Sequence, residues 1–134
     1  MDLAVIDTNV IIAAYLTRHG DSATRRIVDA VFAGIVTPVV TPDILAEYRA
    51  VMSRPKFGIS TDVVNAVCRY FGMYGRQVAP LPYAEGLADE KDRIFLEAAL
   101  AARPDGAVLV TGNTKHFPAI AGFVMSPAEF ALSL

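Results

Sequence analysis

Several acidic side chains stand where the sequence pattern gathers them at one edge of a predicted sheet. The set consists of Asp7, Glu47, Asp89 and Asp92, joined by the amide residue Asn113. Asp7 directly follows an apolar run at residues 3–6, and Asn113 comes shortly after a second run at residues 107–110. The carboxyl ends of parallel strands share one edge with the first turns of the helices that follow them. We therefore expect these side chains to meet at that edge.

Glu47 and Asp7 occupy positions where an ionised carboxylate is unexpected. On its predicted helix, Glu47 stands beside an apolar stripe formed by Ile44, Tyr48 and Val51. Asp7 ends a buried-type strand and precedes an apolar helix. Burying an unpaired charge is costly, so a bound cation would stabilise both carboxylates. Oxygen ligands without a His or Cys partner favour Mg²⁺ or Mn²⁺ over Zn²⁺, and such ions commonly serve phosphate chemistry.

Each acid also has a simpler interpretation. Asp7 could cap the helix that follows it, as aspartates often do. Asp89 and Asp92 could merely complement the positive end of a helix, and Glu47 could be a solvated surface acid. Their joint placement at one predicted edge favours a shared site over four independent explanations.

The elements that must position these residues alternate between strand and helix. Strands are predicted at 3–6, 35–40, 107–110 and 122–125, and helices at 10–16, 22–32, 42–53, 61–74 and 89–102, with a last short helix after Ser126-Pro127. The segment 77–83 is irregular, with room for one short strand. This alternation is typical of an α/β fold with a mostly parallel central sheet.

Composition narrows the class of protein. A chain of 134 residues that is 54% hydrophobic predicts one globular domain over 1–134. The single cysteine, Cys68, excludes an internal disulfide framework and a Cys-only metal cage, and we interpret it as a core residue. The sequence predicts neither a transmembrane segment nor a signal peptide, so a cytoplasmic location is the default expectation. The net charge of −2 argues against binding nucleic acid by bulk electrostatics, leaving a local basic rim, a dimer groove or metal ions.

Five segments of the chain, taken in order, resemble the PIN-domain ribonucleases. They are residues 5–10 (VIDTNV), Glu47-Tyr48 with 54–57 (RPKF), Asp89 and Asp92 ahead of 95–99 (FLEAA), 110–113 (VTGN) with 115–117 (KHF), and 126–130 (SPAEF). More specifically, they resemble the toxin components of bacterial and archaeal toxin–antitoxin systems of the VapC type. This resemblance implies a three-layer α/β/α fold and a metal-dependent endoribonuclease with a cognate antitoxin as partner. The high hydrophobic content favours an interface with a second copy, as in a homodimer, or with the antitoxin.

The resemblance also assigns roles to individual residues. Asp7, Glu47 and Asp92 match the family's first three acids and would be catalytic ligands of Mg²⁺ or Mn²⁺, with Asp89 as a further ligand. The family's fourth position is usually an aspartate, and here it is Asn113. An asparagine positions a ligand through its carbonyl but brings no charge, so this departure weakens the prediction of a second metal ion.

Contacts to the RNA are expected from the residues around these acids. The predicted substrate-binding residues are Thr8, Asn9, Thr111, Arg54 and Lys115. A local basic rim would be drawn from Arg49, Arg54, Lys56, Lys91, Arg93 and Lys115, although a mixed solvated surface explains most of these. We interpret His19 and His116 as surface loop residues, with His116 close enough to Asn113 to touch RNA. Phe71, Met73 and Tyr74 continue an apolar stripe that could serve a dimer face.

Other function classes stay open at this point. A phospho-receiver domain has a similar size and pattern, with Thr111 and Lys115 in suitable places, but no acid follows Val40 to accept a phosphate. A phosphatase with an aspartyl nucleophile would need an aspartate at position 9, which is Asn9. A catalytically silent PIN-like domain that binds RNA or a protein is compatible with Asn113.

Overall fold

The sheet at the centre of the molecule contains five strands among the described residues, and all of them run parallel. The computed structural model describes residues 2–118 and 121–134. The strands are β1 (Asp2–Ile6), β2 (Val36–Val40), β3 (Arg76–Gln77), β4 (Val108–Val110) and β5 (Val124–Met125), in the spatial order β3-β2-β1-β4-β5. The helices are α1 (Thr8–Leu16), α2 (Ala23–Phe32), α3 (Pro42–Met52), α4 (Thr61–Tyr74), α5 (Arg93–Ala102) and α6 (Pro127–Ala131). The result is a three-layer α/β/α arrangement, which confirms the predicted fold class.

Strand β1 lies at the middle of the sheet and sets the position of the candidate site. It pairs with β2 on one side and with β4 on the other, and Ile6 is in register with Val110. The amide of Asp7 donates to the carbonyl of Val110 over 2.9 Å. The residues that follow β1 and β4 therefore leave the sheet side by side at its carboxyl edge.

Side-chain caps determine where several helices begin. The hydroxyl of Thr41 accepts a hydrogen bond from the Ile44 amide over 3.1 Å, and Pro42 occupies the first helical position of α3. At α6, Ser126 and Glu129 form a reciprocal capping box. A capping hydroxyl followed by proline predicts both helix starts, and the capping box with Glu129 is an addition that the structure reveals. Helix α2 ends just before Gly34, which adopts a φ of 77°, the left-handed conformation that commonly follows the last turn of a helix.

The predicted helix over 89–102 begins later than expected. Asp89 is extended, and its carboxylate accepts a hydrogen bond from the Lys91 amide over 3.0 Å. A 3-10 turn at Glu90–Asp92 follows, and α5 itself starts at Arg93. The strand predicted at 122–125 shortens to β5, and helix α1 starts at Thr8, directly after Asp7. The late start of α5 matters for the site because it places Asp92 at the junction of the 3-10 turn and the helix.

Tyr48 and Phe71 form the aromatic centre of the core. Both are fully buried, and their rings meet edge to face with centroids 5.6 Å apart. The Tyr48 hydroxyl donates to the carbonyl of Ile6 over 2.5 Å, which ties α3 to the end of β1. The expectation that Phe71 shares an exposed apolar face with Met73 and Tyr74 is wrong for Phe71, because helix α4 turns that side chain into the core. Cys68 is buried, as expected.

Within the described part of the chain, none of the helices combines the length and the apolar character that a membrane span requires.

Candidate active site

A cleft of about 280 Å³ opens at the carboxyl edge of the sheet. It is lined by Asp7, Thr8, Asn9, Glu47, Val51, Arg54, Asp89, Lys91, Asp92, Phe95 and Asn113. The structure thus brings together all four predicted acids and the amide residue. A larger groove of about 600 Å³ lies between α3 and α4, but Arg49, Asn65 and Arg69 supply its polar lining. The chemistry of the lining, rather than its volume, identifies the acidic cleft as the candidate site.

Asp7 is buried at the base of the cleft, with 5% of its surface exposed. Among the described residues, its carboxylate forms no regular cap on α1, although the backbone of Thr8 and Asn9 at the start of that helix favours its ionised form. The Thr111 hydroxyl also donates to its Oδ2 over 2.8 Å. Burial raises the pKa of Asp7, the Thr111 hydrogen bond opposes that rise, and the nearby charge of Asp92 adds to it. The fold therefore holds an acid where its ionised form is disfavoured.

Asp92 lies at the start of α5 and is also buried. Its Oδ2 is 3.1 Å from Nδ1 of His116. Burial raises the pKa of Asp92, the contact with His116 lowers it, and the neighbouring Asp89 raises it again. Like-charged carboxylates that raise one another's pKa in a cleft are common at functional sites.

His116 is the residue whose role the sequence did not reveal. We interpreted it as a surface residue without a ligand function, and its side chain is indeed 41% exposed. The structure nevertheless brings its ring to Asp92, because a 3-10 turn at Thr114–His116 follows β4 at the carboxyl edge. One signal was available: His116 comes three residues after Asn113, on the loop already assigned to the site.

Asn9 and Thr111 brace the loops that carry the acids. The Thr111 hydroxyl donates to Asp7 and accepts a hydrogen bond from the Asn113 amide over 3.0 Å. Asn9 accepts from the Gly112 amide over 3.2 Å and contacts Asp7 Oδ2 over 3.4 Å. Both were predicted to bind substrate. Thr111 is fully buried, so in the structure its hydroxyl holds the loops together rather than facing the cleft.

Thr8 supplies a polar atom without a protein partner. Its Oγ1 is buried and has no hydrogen bond among the described residues. The residue itself lines the cleft beside Asp7. A buried hydroxyl without a partner is costly, and such groups commonly mark the place of a bound water, ion or ligand.

The basic residues divide into those at the cleft and those engaged elsewhere. Arg54 and Lys91 line the cleft. Lys115 is exposed on the 3-10 turn next to it. Arg49 bonds to Asn65 in the other groove over 2.8 Å.

Arg93 was a candidate for the basic rim, but it is occupied within the chain. Its guanidinium donates to the carbonyls of Tyr83 and Glu85 and to the carboxylate of Glu90. These bonds fix the loop that leads to the site. We therefore assign Arg93 to loop structure rather than to RNA contacts.

Replacing Thr111 by valine tests the support of Asp7. The change removes the 2.8 Å hydrogen bond and leaves the buried carboxylate without that stabilisation, so the pKa of Asp7 rises further. For the metal site predicted at Asp7, losing a hydrogen bond that orients a ligand would reduce metal affinity by about 10- to 100-fold. We expect Mn²⁺ affinity, measured by titration calorimetry, to fall within that range. Thr61→Val, an exposed threonine at the start of α4, is the control and leaves affinity unchanged.

Comparison with known protein families agrees with this geometry. A family profile described as the PIN domain matches residues 3–115, which include every acid of the cleft. No curated protein matches the chain. PIN domains are generally nucleases and typically use divalent metal ions. The chain belongs to the PIN-domain family.

Proposed function

We propose that this protein is a metal-dependent endoribonuclease that hydrolyses RNA phosphodiester bonds. The observation that carries the proposal is the convergence of Asp7, Glu47 and Asp92 on one cleft at the carboxyl edge of the sheet. They come from three separate segments of the chain: the end of β1, helix α3 and the start of α5. Membership of a family of nucleases supports the same reaction class.

The residues of the cleft fit a divalent cation. Burial raises the pKa values of Asp7 and Asp92, and so does a neighbouring carboxylate, Asp92 for Asp7 and Asp89 for Asp92; a cation would relieve both effects. The unpartnered hydroxyl of Thr8 offers a further polar group beside them. Asp7, Glu47, Asp89 and Asp92 would hold Mg²⁺ or Mn²⁺. A bound ion of this kind lowers the pKa of water and neutralises charge on a phosphodiester.

The other residues of the site have supporting functions. Thr111 and Asn9 keep Asp7 in place and join the loops after β1 and β4. Arg54 and Lys91 supply positive charge at the cleft, where they contact RNA phosphates. Because the protein as a whole is slightly acidic, RNA binding depends on this local charge rather than on a basic surface.

Glu47→Gln tests the proposed reaction. The change keeps the side chain's size and removes one negative charge from the cleft, so we expect cleavage to fall by at least about 100-fold, since the bound ion supplies several kcal/mol of charge stabilisation. The measurement is cleavage of single-stranded and structured RNA with Mg²⁺, Mn²⁺ or excess EDTA. Asp43→Asn, on an exposed position of the same helix, is the control and retains activity.

Failure would take a recognisable form. Equal cleavage by wild type and Glu47→Gln, or cleavage that persists in EDTA, contradicts the proposed chemistry. RNA binding without cleavage in either metal indicates instead a catalytically silent PIN-like binding domain. In that case Asn113→Asp would be the first variant to test for a gain of activity.

We further propose that this ribonuclease is the toxin of a toxin–antitoxin pair, active as a homodimer and neutralised by a protein partner. The support is the resemblance of its five segments to toxins of the VapC type. Induced expression should stop bacterial growth with the wild type and permit growth with Glu47→Gln. Unimpaired growth with an active wild-type nuclease would contradict the toxin role.

A further inference from the structure

We propose that Asp89, Asp92 and His116 form a mixed oxygen–nitrogen metal site, in which the imidazole makes the cleft select Mn²⁺ over Mg²⁺. The inference rests on the proposed function in one respect, since it concerns a cation bound in the same cleft. It goes beyond that function by adding a histidine nitrogen to the carboxylates that were proposed to hold the ion.

The three side chains are already close enough to share an ion. One ligand atom from each of Asp89, Asp92 and His116 lies within 4.8 Å of the other two. The closest approach is 3.1 Å, between Nδ1 of His116 and Oδ2 of Asp92. Asp92 belongs to both groups of ligands, because it also lines the cleft with Asp7 and Glu47.

Hydrogen bonds in two short turns fix the backbone that carries these three side chains. The amide of His116 donates to the Asn113 carbonyl over 2.9 Å, and the next residue, Phe117, is buried in the core. Asp89 uses Oδ1 to accept from the Lys91 amide over 3.0 Å. The same 3-10 turn carries Asp92. The positions of the three groups are therefore set by two short turns before any ligand arrives.

Thr8 provides an independent indication that a ligand belongs in this cleft. It is buried to more than nine-tenths, and its Oγ1 finds no partner among the residues described. It lines the same cleft as Asp89 and Asp92. A buried hydroxyl without a protein partner commonly marks a place where a water or an ion is bound.

The donor set determines which ion is favoured. Mg²⁺ prefers oxygen ligands and gives up its waters reluctantly, so an imidazole contributes little to its binding. Imidazole nitrogen suits transition ions such as Zn²⁺ and Fe²⁺, and carboxylates suit both Mn²⁺ and Mg²⁺, so the imidazole distinguishes Mn²⁺ from Mg²⁺ but does not exclude Zn²⁺. A site with two carboxylates and one imidazole is consequently more selective for Mn²⁺ than the four carboxylates alone.

The decisive experiment detects the nitrogen ligand directly in the native protein. Pulsed electron paramagnetic resonance of the Mn²⁺-loaded wild type should show ¹⁴N coupling that becomes ¹⁵N coupling when the protein is made with ¹⁵N-labelled histidine. His116→Gln should abolish it, and His19→Gln, the chain's other histidine, should retain it. Absence of histidine nitrogen coupling in the wild type overturns the proposal, whether or not any variant folds.

Calorimetry gives a second, quantitative readout. We expect His116→Gln to lower Mn²⁺ affinity by at least about 10-fold, since losing even a residue that only orients a ligand typically costs about 10- to 100-fold, with Mg²⁺ affinity changed by less than about 2-fold. An equal loss for both ions would mean that His116 only orients Asp92, and would overturn the nitrogen-ligand assignment.

The two proposals fail separately. Histidine coupling to Mn²⁺ without RNA cleavage sustains the metal site and contradicts the nuclease. Cleavage supported equally by Mg²⁺ and Mn²⁺, without histidine coupling, sustains the nuclease and contradicts the metal site.

Discussion

Asp7→Asn is expected to abolish RNA cleavage while making the metal-free protein more stable. Asp7 is buried near Asp92, and hydrogen bonds from Thr111 and Asn9 support its carboxylate. Asparagine keeps an oxygen that can accept the Thr111 hydrogen bond but carries no charge to bind a cation. We expect cleavage to fall by about 100-fold or more, because a metal ion supplies several kcal/mol of charge stabilisation.

The gain in stability has a defined pH dependence. The pKa of Asp7 is raised by burial above its value in the unfolded chain, so the folded protein retains the proton more strongly. Stability of the wild type therefore falls as pH rises from the unfolded pKa, about 4, through the folded pKa. Asp7→Asn removes this loss. In EDTA at pH 7 its melting temperature should exceed that of wild type by a few degrees, and the difference should shrink towards pH 4.

A control variant that loses an exposed carboxylate outside the cleft shows whether the effects of Asp7→Asn depend on the position of the lost charge. Asp105→Asn removes one negative charge from an exposed acid that pairs with Arg76 over 2.9 Å, before β4 and so away from the carboxyl edge. We expect unchanged cleavage and little change in melting temperature, because exposed ion pairs contribute only about 0–1 kcal/mol. If Asp7→Asn is less stable than wild type in EDTA, burial does not disfavour the ionised form of Asp7 as we describe.

Phe71→Ala is expected to have the largest effect on folding. The ring is fully buried and packs edge to face on Tyr48, whose hydroxyl in turn holds the Ile6 carbonyl beside Asp7. Truncating a buried phenylalanine typically costs about 3–5 kcal/mol, a large part of the stability of a domain of this size. Chemical denaturation followed by circular dichroism measures the loss.

Met73→Ala, two residues further along the same helix, is the control. Met73 is 67% exposed, so its truncation should change the free energy of unfolding by about 0.5 kcal/mol or less. Comparable losses for the two variants would contradict the placement of Phe71 in the core and of Met73 at the surface.

The fold could largely be predicted because its signals are local. Thr41-Pro42 and Ser126-Pro127 mark helix starts through a capping hydroxyl followed by proline, and both helices begin there. The late start of α5 could not be predicted, because acids are typical of a first helical turn. Only in the structure does the Asp89 carboxylate bond to the Lys91 amide and hold a 3-10 turn instead.

The acids of the site could be predicted, but their supports could not. Asp7 and Glu47 were identifiable because each is a charge in an apolar pattern, and both line the cleft. Thr111 is predicted at this edge only as a substrate-binding residue and His116 only as a loop residue that touches RNA, and neither residue type indicates a hydrogen bond to an acid of the cleft. Their contacts with Asp7 and Asp92 join positions 104 and 24 residues apart, and only the tertiary fold creates them.

A Mn²⁺ titration that follows binding and RNA cleavage in the same solution tests the central claim most directly. If the cation held by Asp7, Glu47 and Asp92 supports hydrolysis, the cleavage rate of wild type should rise in proportion to bound Mn²⁺, and Asp7→Asn should lose both. Cleavage that persists in EDTA, or that is complete before Mn²⁺ binds, would contradict the claim.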